Sequence, residues 1–79
     1  MSIEYQNMTA KFDGFVSVDE ADQLLQWLQE NPKGCVNLAD CRHMHAANLQ
    51  VLMAAKPAII AWPDDVGWCG WLTDALESK

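Results

Sequence analysis

Basic side chains are scarce in this sequence: five Lys and Arg stand against 11 Asp and Glu, for a formal net charge of -6. Nucleic acids and anionic membranes are held by clustered Lys and Arg that neutralise phosphate, so neither is an expected partner. Cysteines are few and odd in number, and Cys35, Cys41 and Cys69 form no CxxC pair. A disulfide scaffold is therefore not expected, and a reducing cytoplasm is the natural setting. Long apolar runs are missing as well. The longest, Ala58 to Trp62, is far below the roughly 20 residues of a membrane-spanning helix. Met1 to Ala10 has no basic region and no apolar region of the kind a signal peptide needs. There is no internal repeat, low-complexity segment, phosphate-binding glycine loop, Ser–His–Asp order or nucleophile elbow. No nucleophile–base pair can be named, so an enzyme is not expected.

What is present is an ordinary globular balance, 51% hydrophobic and 20% charged over 79 residues. That is the size of one small domain, taken as 1–79. Ile3 and Tyr5, then Ala10 and Phe12, alternate with polar neighbours around Asn7 and predict two short strands joined by a tight turn. Gly14 leaves the end of the second strand open. Ser17 and Glu20 form a capping-box pattern, after which Val18, Ala21, Leu24, Leu25 and Leu28 recur at helical spacing. Pro32 and Gly34 close that helix. Cys35–Ala39 reads as an inner strand. A second helix carries Leu49, Leu52 and Met53 on one face and stops at Pro57. Ala58–Trp62, continuously apolar, reads as another inner strand covered on both faces. Asp64 or Asp65 then caps a last helix that would bury Trp68, Trp71, Leu72, Ala75 and Leu76. The expectation is an α/β domain, order β-β-α-β-α-β-α, with a mixed sheet of about four strands and helices mainly on one face. The acids Asp19, Glu20, Asp22 and Glu30, and Asp64, Asp65, Asp74 and Glu77, are expected at helix ends and solvent faces.

The stretch from Val36 to Leu52 resembles the signature of STAS domains, the sulfate-transporter and anti-sigma-factor-antagonist modules. Val36 and Leu38 fall on the apolar positions of the family's central strand, and Asn37 replaces its Asp. His45, Ala46, Ala47 and Asn48 fall on the Asp-Ser-Ser-Gly positions that open the following helix, and Leu49 and Leu52 fall on its buried positions. The order of elements is also similar, so the resemblance covers nearly the whole chain. It implies a bacterial, non-catalytic interaction module. The expected partner is a protein, either a kinase or anti-sigma-like factor or a transporter subunit. The expected contact residues are Arg42, His43, His45, Ala46, Ala47, Asn48 and Gln50. The family's switch proteins are phosphorylated on a hydroxyl at the helix start. Positions 46 and 47 are Ala here, so that acceptor is missing.

Other features have both a functional and a plainer structural reading. Cys41, His43 and His45 stand two apart and would point the same way on an extended segment, which fits a metal or small-anion sensing site. Asp40 or Cys35 could complete it only if the fold brought one round. Against this, the resemblance puts Cys41 and His43 on core positions, and no zinc spacing is present, so no metal and no cofactor is the primary expectation. Arg42, His43 and His45 also form the one basic cluster, beside a helix start where free N–H groups attract anions. Four tryptophans are many to hide in so small a domain, so at least one is expected to be exposed, as an interface anchor or a homodimer contact.

Overall fold

The computed structural model describes residues 2–77. Strands β1 (Ile3–Gln6) and β2 (Thr9–Val16) form an antiparallel hairpin. Asn7 and Met8, with φ of 49° and 65°, make the turn. Positive φ at both central residues matches the twist of the flanking strands. The strand continues through Gly14, whose φ of 68° lies in the left-handed region that a residue without Cβ adopts at least cost. A single turn of 3-10 helix (Val18–Glu20) leads into α1 (Ala21–Glu30). Next come β3 (Cys35–Met44), α2 (Ala46–Ala55), β4 (Ala58–Ala61) and α3 (Val66–Glu77). The sheet order is β1-β2-β3-β4, with β2, β3 and β4 parallel. The expected element order and mixed four-stranded sheet are those observed.

One core holds the domain together. Ile3, Ala10, Phe12, Val16, Val36, Leu38, Cys41 and Met44 line one side of the sheet and meet Leu24, Leu28, Leu49, Leu52 and Leu72 from the three helices. The opposite side carries Glu4, Lys11 and Asp13 into solvent, with an exposed Lys11–Asp40 ion pair at 3.4 Å.

Several local expectations need correction. The capping box does not form. Ser17 makes no side-chain cap, and the Glu20 carboxylate instead accepts the backbone N–H groups of Ser2 and Ile3 at 3.0 and 3.1 Å. Glu20 is buried in doing so, unlike the other described acids, and it pins the start of β1. The Glu77 side chain lies outside the described residues. Strand β4 is an edge strand, not an inner one: it pairs only with β3, and Ile60 is 56% exposed. Strand β3 does not stop at Ala39 but continues through Met44, across the segment expected to be a loop. Of the five positions expected to be buried on the last helix only Leu72 is fully buried, and Trp71 is exposed. The cap of α3 is as expected, with Asp65 Oδ1 accepting from the Trp68 N–H at 2.9 Å.

Candidate functional site

Two irregularities in β3 decide where its side chains point. Between Lys11 and Asp13 of β2 the partner strand advances from Asn37 to Asp40, one residue more. Between Gly14 and Phe15 it advances from Cys41 to His43, again one residue more. Each is a β-bulge, and each shifts the alternation of side chains by one position. The buried positions of β3 are therefore Val36, Leu38, Cys41 and Met44. Cys41 turns into the core while His43 is exposed. The common direction expected for Cys41, His43 and His45 is lost for this reason. Among the described residues no group of three or more His, Cys, Asp and Glu is placed to hold a metal ion. Burial pushes the Cys41 thiol up to about 11, partly offset by its contact with the His43 carbonyl. That is the opposite of what a reactive thiolate requires.

The start of α2 is fixed by three sets of hydrogen bonds. His45 is the N-cap, with extended backbone, and its Nδ1 accepts the Ala47 N–H at 3.0 Å. An accepting Nδ1 carries no proton, so this geometry belongs to the imidazole with its hydrogen on Nε2. The His45 N–H donates to the Val16 carbonyl at 2.8 Å. Asn48 Nδ2 donates to the Ser17 carbonyl at 2.7 Å and to that of Val16 at 3.4 Å. Asn48 is fully buried, and its Oδ1 has no partner. It belongs behind the surface, as the post that ties α2 to the end of β2. Arg42, His43, His45, Ala46 and Gln50 are exposed and Ala47 is half-buried, so these six are accessible along the junction between β3 and α2.

Beyond His43 the surface continues as a row of rings. Phe15 and His43 have centroids 5.2 Å apart, His43 and Trp68 5.4 Å, and Trp68 and Trp71 5.4 Å in near-parallel stacking. Phe15 is 58% and Trp71 53% exposed. The Trp68 indole N–H donates to the Cys41 carbonyl at 2.9 Å, which fastens α3 to β3. Trp68 also lines a cavity of about 300 Å³ with Asp13, Asp40, Arg42, Asp64 and Asp65.

No family model and no curated protein matches the chain. The surface is thus read on its own geometry. Sequence spacing paired Trp68 with Trp71 but gave Phe15 no role. Its place in the row follows from the Phe15–His43 register, which bulges set and local pattern does not disclose. Among the described residues no helix is long and apolar enough to cross a membrane.

Proposed function

We propose that this domain is a non-catalytic protein-interaction module, similar in design to STAS domains but without their phosphorylated hydroxyl. Its contact surface is the junction of β3 and α2: Arg42, His43, His45, Ala46, Ala47 and Gln50, with Asn48 supporting it from behind. The observation that carries the reading is the pinned helix start. Hydrogen bonds from His45 and Asn48 to the end of β2 hold this backbone in place beneath exposed side chains. A surface ordered in advance loses less entropy on association, which is what a recognition face needs. The buried Cys41 thiol, which burial keeps protonated, is a poor nucleophile. A bacterial signalling adaptor and an accessory subunit of a transport system are the two settings the resemblance implies, both cytoplasmic.

The test is site-specific photo-crosslinking in the native host. A photoreactive side chain replaces Gln50, or as a control Gln29 on the exposed face of α1. The expected result is a discrete adduct with one other protein from position 50 and none from position 29. Equal labelling from both positions, or no adduct from position 50, refutes the reading. An adduct of twice the chain's own mass assigns the surface to self-association and refutes it too.

A further inference from the structure

We propose that the aromatic row Phe15–His43–Trp68–Trp71 is the seat of an arginine-bearing, cationic segment of the protein partner. This rests on the interaction-module reading and adds the chemistry of what is recognised. The row is an unpartnered platform whose two ends, Phe15 and Trp71, are more than half exposed. The charge around it selects the occupant. Asp13, Asp40, Asp64 and Asp65 line the cavity that Trp68 closes, against Arg42 within it and Lys11, which pairs with Asp40. Four carboxylates against two cations leave the rim negative, in a chain whose own net charge is -6.

Each other class of occupant meets an obstacle. An apolar segment would strip water from the aspartates without replacing it. A second copy of the chain would bring the same excess of negative charge to a negative rim. A guanidinium group satisfies both features at once. Its plane stacks on aromatic rings, and its forked N–H donors match a carboxylate in bidentate fashion. An ammonium group, a compact and strongly hydrated point charge, gains less from the rings. The occupant is therefore expected to carry Arg in preference to Lys.

The experiment is an amide NMR titration of the intact chain with a blocked pentapeptide in which two arginines alternate with glycines, and with its lysine counterpart. Shifts are expected to concentrate at Asp13–Phe15, Arg42–His43 and Asp64–Trp71. Asp64→Asn and Trp71→Leu are each expected to weaken the arginine peptide at least about fivefold, and the lysine peptide to bind more weakly than the arginine one. Glu30→Gln on α1 removes the same charge at a distance and should leave affinity unchanged. Asp64 and Trp71 are exposed, so both variants are expected to fold, and their melting curves check this. Equal weakening by Glu30→Gln and Asp64→Asn means attraction to overall charge and overturns the proposal. So do equal affinities for the two peptides, a silent Trp71→Leu, or no saturable binding. The photo-crosslink from position 50 separates the two readings. If it forms with one other protein while the titration fails, the module stands and the cationic occupant falls. If it does not form, the module reading falls whatever the peptides do.

Discussion

Replacing Asn48 with Asp alters few atoms and tests whether the α2 start is held as described. In the parent, Nδ2 gives one good hydrogen bond, 2.7 Å to the Ser17 carbonyl, and one long one, 3.4 Å to that of Val16. In Asn48→Asp that nitrogen becomes an oxygen, and an ionised carboxylate faces two carbonyl oxygens in a fully buried position. The lost donor costs about 1–1.5 kcal/mol, and each carbonyl left dry adds to it. A buried charge without a partner raises the total to roughly 3–5 kcal/mol. A domain of this length has about 4–12 kcal/mol in all, so the variant is expected to be near its folding limit at pH 7. Asn48→Ala, which buries no charge, should lose about 2–3 kcal/mol, a fall in melting temperature on the order of 10–20 °C. The sign of the pH effect follows from burial. The introduced carboxyl has its folded pKa raised above the unfolded value of about 3.9. Its protonated O–H can donate to Ser17, so the variant is closest to the parent below about pH 4 and falls behind as pH rises through the raised value. Urea unfolding followed by tryptophan fluorescence, parent and variant together at pH 4 and pH 7, measures both quantities. A deficit for Asn48→Asp below about 1 kcal/mol at pH 7, or one that does not change with pH, would refute the role given to this side chain.

Gly34→Ala places a Cβ 2.7 and 2.8 Å from the end of the Trp27 ring and 3.0 Å from the Asn31 carbonyl. Trp27 also packs on Tyr5, with ring centroids 5.3 Å apart, so a loss of about 1–3 kcal/mol is expected; an unchanged melting temperature would contradict this packing. In alkali the buried Cys41 thiol keeps its proton up to about 11 against an ordinary 9.0, so the unfolded chain ionises first. Its contribution is complete below pH 9 and lost as pH rises through 11, a decline on the order of 1–2 kcal/mol that Cys41→Ala should flatten. Tyr5, pushed up to about 12 by burial and then by the Glu20 charge, extends the same trend above pH 10. A flat profile between pH 9 and 11 for the parent, measured under reducing conditions, is the contrary result.

The order of elements was legible because its punctuation is strong. Pro32 and Gly34 end α1, Pro57 separates α2 from β4, and Leu24, Leu28, Leu49 and Leu52 mark the buried helix faces. The second half of β3 was not legible. Its buried positions, 36, 38, 41 and 44, follow neither a strand nor a helix period, because each bulge adds a residue. Hence Cys41 and His43 read as neighbours on one face when they lie on two. The apolar run of β4 resembles a doubly covered strand, yet sheet order places it at the edge, and composition carries no information about order. Asn48 read as a contact residue because the STAS resemblance places it at the opening of the second helix, on the surface such modules use for partners. The carbonyls that draw it inward are 31 and 32 residues away in sequence. The aromatic row depends on three elements at once and was visible only as the Trp68–Trp71 spacing.

The lengths of the strands bear on how the protein avoids aggregation. The two long strands, eight and ten residues, are interior, and both outer strands have only four. An outer strand is a template on which another chain can grow, and brevity is one defence against it. On β4, which has no charged side chain, Pro57 and Pro63 stand on either side and supply no N–H to an incoming strand. These prolines therefore act as gatekeepers of solubility as well as punctuation. A change that lengthened β4 past Pro57, which is only half-buried, would leave the core almost untouched, and its harm would appear as fibrils or precipitate before any loss of fold.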